Sequence, residues 1–287
     1  MKVGITGASG FIGQQLIDWL KSKRHTCVAI RRDLLYNPEN GLADILSGCD
    51  AVINLAGAPI IQRWTAKNKR TIYSSRVDTT LNLTETIRKI PVAQRPKVFV
   101  SASAVGIYEI GTEHDESSKQ FDRGFTGTVV QDWEKASESI PPSTRRVILR
   151  IGAVLGKESQ TIQQLVPLFK LGLGGKIGSG KQAFPFVHIN DLVAAFEAAL
   201  TDENYSGIYN LVAPKPINNA EFTKCFAQTL KRPALLPAPA FAIRLVFGRA
   251  SGLLLEGATV IPKRLVKAGF TFSYPTIEKA LNQILEN

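Results

Sequence analysis

The N-terminal run Lys2-Val3-Gly4-Ile5-Thr6-Gly7-Ala8-Ser9-Gly10-Phe11-Ile12-Gly13 constrains this chain more than any other stretch. Val3 and Ile5 alternate as a strand does, glycines follow at 7, 10 and 13, and Gln14 to Lys23 continues as an amphipathic helix. A strand, a glycine turn and a helix in that order let the backbone turn sharply and approach a pyrophosphate closely. The free N–H groups of the helix then face its phosphates. Gly7, Gly10, Phe11, Ile12 and Gly13 are therefore candidate dinucleotide-binding positions.

At 287 residues and 44% hydrophobic content, the chain can bury one large core with a smaller lobe attached. Without a window of about eighteen apolar residues, a membrane span is not expected. Nor is a signal peptide, because the N-terminus runs straight into a strand. The expected location is the cytoplasm or an organelle matrix. Cys27, Cys49 and Cys225 show no paired spacing and His25, His114 and His188 form no ligand cluster, so neither disulfides nor a metal site are expected. A formal charge of +11 suits nucleic acid, an anionic membrane surface or anionic small ligands. The basic residues have little aromatic interleaving, which speaks against a nucleic-acid platform.

Strand and helix patterns then alternate. Strands are expected at Val3 to Thr6, Thr26 to Arg31, Ala51 to Leu55, Lys97 to Ser101, Arg146 to Ile151 and Gly207 to Leu211. Between them the pattern predicts one long helix over Thr65 to Lys89, another over Gly127 to Ser139, and a third over Val187 to Leu200 with Asn190 as its N-cap. Such βαβ alternation gives an α/β fold, a doubly wound parallel sheet, here with a small, mostly helical C-terminal lobe. The expected division is a dinucleotide-binding domain over 1–155, completed by 187–213, with 156–186 and 214–287 forming the substrate-side lobe. The glycine-rich stretch 171–180 reads as a substrate loop.

Arg31 and Arg32 end the second strand, about twenty positions past the glycines, where a carboxylate would grip a ribose hydroxyl and arginine a 2′-phosphate. Two guanidinium groups favour the phosphate dianion, so the expected cofactor is NADPH/NADP. Asn54-Leu55-Ala56-Gly57 closes the third strand, which brings Leu55 and Ala56 beside the adenine and ribose. Ser103 lies at a strand end on the ligand side, either polarising a substrate oxygen or bonded to local backbone, and Tyr108 follows five residues on. Arg150 is a candidate for an anionic substrate group, and Glu113 to Glu116 read either as paired carboxylates for sugar hydroxyls or, the favoured reading, as a solvated acidic loop.

With these landmarks the chain resembles the extended short-chain dehydrogenase/reductase superfamily, in its atypical "epimerase family" (YfcH-like) branch. The resemblance rests on Gly7-Ala8-Ser9-Gly10-Phe11-Ile12-Gly13, Asn54-Leu55-Ala56-Gly57, Ser75-Arg76-Val77-Asp78, Ser101-Ala102-Ser103-Ala104, Asp132-Trp133-Glu134 and His188-Ile189-Asn190-Asp191. It implies an NADP-type cofactor, with Arg76 reaching it from the long helix and Val154 near the nicotinamide. It also implies a homodimer and oxidoreductase or epimerase-type chemistry on a small polar, sugar- or nucleotide-sugar-like substrate. The superfamily's proton carrier is a tyrosine with a lysine four residues later. None of the six tyrosines here has that lysine. The chain therefore either uses Ser103 and Tyr108 catalytically, or binds NADPH without turnover as a regulator linked to cell or plastid division.

Overall fold

The computed structural model describes residues 1–286. Its centre is a six-stranded, all-parallel sheet in the order β2-β1-β3-β4-β6-β9. In chain order the strands are β1 (Lys2–Thr6), β2 (Thr26–Ile30), β3 (Ala51–Asn54), β4 (Val98–Ala104), β5 (Glu113–His114), β6 (Arg145–Ile151), β7 (Ala153–Leu155), β8 (Phe186–His188), β9 (Gly207–Leu211) and β10 (Thr259–Val260). The pairs β5/β10 and β7/β8 form separate two-stranded sheets. The fold is thus the expected doubly wound α/β sheet with a small helical C-terminal part.

The central strands read as near-continuous apolar runs because helices cover both faces. One core packs Val3, Ile5, Ile53, Val100 and Leu149 against the helices Phe11–Ser22 and Ile189–Thr201. On the other face Val52 and Phe99 meet Leu83 and Ile87 of the helix Val77–Lys89. A third cluster joins Phe222 and Phe226 of the helix Asn219–Thr229 to Leu281 and Ile284 of the helix Ile277–Glu286. Sheet order reverses at β1, so the crevice for a ligand opens at the carboxyl ends of β1 and β3.

Three local expectations need correction. The long helix over 65–89 is two helices, Ala66–Ser74 and Val77–Lys89. The Ser75 hydroxyl donates to the Ile72 carbonyl and accepts the Ala58 N–H, a tertiary contact that holds the chain at the junction. The helix expected over 187–200 starts at Ile189, because Phe186 and Val187 are buried in β8; its N-cap is His188, not Asn190, with the imidazole accepting the Asn190 N–H. The glycine-rich stretch is pinned against 236–238 by backbone bonds, Ala238 N–H to Lys176 O and Gly178 N–H to Ala238 O, both 2.9 Å. Its neighbours Ala183, Phe184 and Pro185 line a cavity near Tyr108 in its place.

Candidate active site

A cleft of about 770 Å³ opens at the sheet crevice, lined among others by Gly7, Gly10, Arg31, Arg32, Leu55 and Ala56. Gly7 has φ +67°, and a Cβ there would sit 2.7 Å from the Leu55 carbonyl oxygen. A Cβ on Gly13 would lie 2.3 Å from the Gly7 carbonyl oxygen, so only glycine lets the helix close on the turn. Around Gly10 only that same oxygen comes near, at 3.4 Å, which leaves the space over its Cα open toward the cleft. Gly10 is the N-cap of Phe11–Ser22, makes no side-chain cap, and the first turn carries no acidic residue. The Gly10 N–H donates to the Gly7 carbonyl oxygen, which leaves the first-turn N–H groups of Phe11, Ile12 and Gly13 as the donor set a diphosphate requires.

A buried polar chain fixes the opposite lip. Thr6 Oγ1 accepts both the Leu55 and Ala56 N–H groups, at 3.0 and 3.1 Å, and donates to Asn54 Oδ1. The Asn54 amide in turn donates to Thr80 Oγ1 and Ser101 Oγ. Arg76 lies behind Gly57, whose Cβ position is 3.1 Å from the guanidinium, and 5.5 Å over the Trp133 ring. Burial pushes its pKa down to about 10, so it remains charged at neutral pH, and no carboxylate pairs with it among the described residues. At the end of the cleft beside β2, Arg31 makes a forked pair with Asp33, at 3.0 and 2.9 Å, whereas Arg32 lies over the Tyr36 ring. Phe11 and Ile12 begin the helix beside the cleft, and Val154 lies in β7, next to Ala153 of the second cavity; none of the three lines the cleft.

That second cavity, of about 370 Å³, has walls of Trp64, Val105, Phe125, Phe184 and Leu253, with Tyr108, Asp122, Thr126, Arg249 and Glu256 among its polar groups. Asp122 is already committed, accepting the Gly124 and Gly127 N–H groups at the start of the helix Phe125–Ala136.

Ser103 and Tyr108 belong to one buried network. Ser103 donates to Glu134 Oε1 at 2.5 Å, and Arg150 grips the same carboxylate through Nε and Nη2 at 2.8 and 2.7 Å. Arg150 Nη1 donates to the Tyr108 hydroxyl at 2.8 Å, and that hydroxyl donates to Asn210 Oδ1 at 2.7 Å. Burial raises the Tyr108 pKa against the lowering influence of Arg150. Burial likewise works against the Arg150 charge, but Glu134 and Tyr108 together more than offset it and leave the guanidinium above its ordinary value. Tyr108 borders the second cavity; Ser103 lines neither cavity.

Two readings from sequence are corrected here. Arg150 is consumed by Glu134 and Tyr108, so it is not a free receptor for a substrate anion. The run Glu113 to Glu116 is not a solvated loop: His114 is buried, Asp115 pairs with Lys263, and Glu116 accepts the Asn210 and Arg264 N–H groups. Lys263 and the Ser117 bonds hold the Asp115 carboxyl down at about 2. Glu134 and Thr6 carried no role in the sequence reading. Their signal was position alone: Thr6 ends the first strand, and Glu134 follows a tryptophan on a helix that packs against β4.

A parallel sheet whose first βα turn forms a phosphate cradle defines a dinucleotide-binding protein. Residues 3–211 match the NAD dependent epimerase/dehydratase family, and the chain belongs to it. Residues 238–284 match a domain of unknown function, DUF1731. Among curated relatives, "Epimerase family protein SDR39U1" of Bos taurus is 39% identical over 99% of this chain and 100% of its own length. The chloroplastic SDR39U1 homolog of Arabidopsis thaliana is 34% identical over 100% of this chain and 87% of its own length. A crystal structure of the human SDR39U1 protein (isoform 2) with NADPH superposes with a TM-score of 0.92 at 36% identity, covering both chains completely. A UDP-glucuronic acid 4-epimerase from Bacillus cereus, at 18% identity and TM-score 0.79, shares the fold.

Proposed function

We propose that this chain binds NADP(H) in the 770 Å³ cleft and uses it for oxidoreductase or epimerase-type chemistry on a small polar, sugar-like substrate in the second, 370 Å³ cavity. The observation that carries the reading is the alignment of the Gly7 and Gly10 cradle with Arg31 and Arg32 along one cleft, phosphate donors at one end and two guanidinium groups at the other. The NADPH held by the human relative supports it. Bound there, the nicotinamide would supply or accept a hydride.

The protein's own groups would do the rest. The first turn of the helix after Gly10 would hold the diphosphate, and Arg32, without a carboxylate partner among the described residues, would take the 2′-phosphate together with Arg31. Trp64, Phe125 and Phe184 exclude water from the second cavity and offer faces for a sugar ring. Tyr108 is the cavity group nearest in chemistry to a proton donor; Ser103 acts behind it, through Glu134 and Arg150.

One observation favours a second reading, a non-catalytic NADPH-binding regulator: both hydroxyls already have partners inside the protein. Incubation with NADPH deuterated at the transferable position and a cell metabolite extract tests for hydride transfer. Label in a metabolite that stays unlabelled without protein supports hydride chemistry. Full retention of the label weakens the reductase reading and leaves either the regulator or an epimerase that begins from the oxidised nucleotide.

A further inference from the structure

On the C-terminal side, away from both cavities' floors, apolar side chains stand in water. Leu171 (74% exposed), Leu235 (78%), Phe241 (73%), Leu245 (74%) and Val246 (59%) are the principal ones. They come from two segments that the fold places side by side: Leu236 N–H donates to the Gly174 carbonyl, and Ile177 bridges Ala238. Phe241 and Leu245 are four apart on the helix Ala240–Phe247 and so share one ridge. No residue of that helix is buried. Pro233, Pro237 and Pro239 stiffen the segment that presents Leu235, so little order would be lost on docking. Monomeric proteins rarely leave so much contiguous apolar surface without a use.

The charge around this ridge identifies its occupant. Between Glu221 and Glu256 the chain has five basic residues and no acidic one; between Glu158 and Asp191 it has three basic residues and again no acidic one. Lys176, Lys224, Lys231 and Arg232 line a surface cleft of about 620 Å³ whose rim includes Leu235. Lys231 even adopts φ +52°, a conformation costly for a side-chain-bearing residue, at the end of its helix. Two copies of this face brought together would oppose cation to cation. A surface that is anionic outside and apolar beneath satisfies both features at once.

We infer that this face docks on an anionic lipid bilayer, with Phe241, Leu245 and Leu235 entering the acyl boundary and Lys176, Lys224 and Arg232 meeting the headgroup phosphates. No helix among the described residues is long and apolar enough to cross a membrane, so the attachment is peripheral. Arg63 donates to the Leu245 and Val246 carbonyls, at 3.0 and 3.2 Å, and sits beside Gln62, which lines the dinucleotide cleft. The docking ridge is therefore tied to the cofactor's lip.

Co-sedimentation of the whole chain with vesicles of phosphatidylcholine and phosphatidylglycerol in equal parts, against phosphatidylcholine alone, tests this. The protein should pellet with the mixed vesicles, far less with the neutral ones, and be released by high salt. Phe241→Ser with Leu245→Ser should weaken partitioning by at least about tenfold. Lys176→Gln, Lys224→Gln and Arg232→Gln should each weaken it about fivefold. Circular dichroism of each variant separates loss of docking from loss of fold. Equal or absent binding to both vesicle types overturns the inference. So does a dimer in sedimentation equilibrium that Leu245→Ser dissolves, because a second copy would then occupy the ridge.

Discussion

Arg150 holds Glu134 through two parallel hydrogen bonds in a site where the two side chains are 3% and 12% exposed. Ser103, which pairs with Arg150 across β4 and β6, donates to the same carboxylate. The hydroxyl expected to face a substrate is thereby turned toward an internal ion pair. Any catalytic part it plays runs through the charge it helps to hold.

Breaking that pair from one side should be severe. Arg150→Met leaves the Glu134 carboxylate buried without its cation, and unfolding free energy should fall by about 3–5 kcal/mol. Adding Glu134→Leu removes the orphaned charge, so the double variant should recover much of the loss in urea melts. A single variant as stable as the wild type would mean the pair is solvated in solution.

Ser103→Ala removes one donor while Arg150 still satisfies Glu134 twice, so stability should drop by only about 1 kcal/mol. NADPH affinity, read by fluorescence titration, should not change, because Ser103 does not line the cleft. Turnover should fall steeply if the enzyme reading holds; unchanged turnover would release Ser103 from any catalytic part.

The two glycines of the turn should separate folding from binding. Gly13→Ala puts a methyl 2.3 Å from the Gly7 carbonyl oxygen and 2.8 Å from the Ala8 Cα, so the helix must shift and both thermal stability and NADPH affinity should suffer. Gly10→Ala meets only an oxygen at 3.4 Å. It should fold normally, yet bind NADPH at least tenfold more weakly, because the methyl occupies space a diphosphate needs.

How far the sequence carried depends on how far apart the interacting residues lie. The parallel strands were legible because burial on both faces leaves apolar runs such as Ala51 to Leu55, and Gly7, Gly10 and Gly13 each answer a local steric demand. The polar interior was not. Ser103 finds Glu134 31 positions along the chain, and Tyr108 finds Asn210 102 positions along, and no periodicity encodes such pairs. The break at Ser75 was hidden for the same reason, since its partner Ala58 comes from another turn of the chain. With His188 in place of a conventional cap residue, the helix starts at Ile189, two residues after the expected Val187.

Arginine count at the cleft's far end predicts cofactor choice. Arg31→Ala with Arg32→Ala should weaken NADPH binding by at least tenfold and NADH binding little. Asp33→Asn should act oppositely. The Asp33 carboxyl, held below its usual range by the Arg31 bond, competes for that guanidinium, and removing its charge frees Arg31 for a phosphate. Calorimetric titration with both nucleotides reads the ratio, and equal losses in the double alanine variant would assign the arginines to solvent.

His188 should make the fold sensitive to mild acid. Its Nδ1 accepts the Asn190 N–H, so Nε2 carries the proton and donates to Gln283 Oε1; a second proton on Nδ1 would abolish the helix cap. Burial holds the pKa down at about 4, below the ordinary value of 6.5. Between these values the unfolded chain binds the extra proton and the folded chain does not. Stability is then full above about pH 6.5 and falls by up to roughly 1.4 kcal/mol per pH unit as pH drops toward the folded value. His188→Asn keeps a capping acceptor without a titrating group. Urea midpoints at several values between pH 7 and pH 4.5 should therefore decline more steeply for the wild type than for the variant, a difference that cancels Asp191 and every other titrating carboxyl common to both chains. Parallel curves would show that His188 takes up its proton as readily in the folded protein as in the unfolded chain.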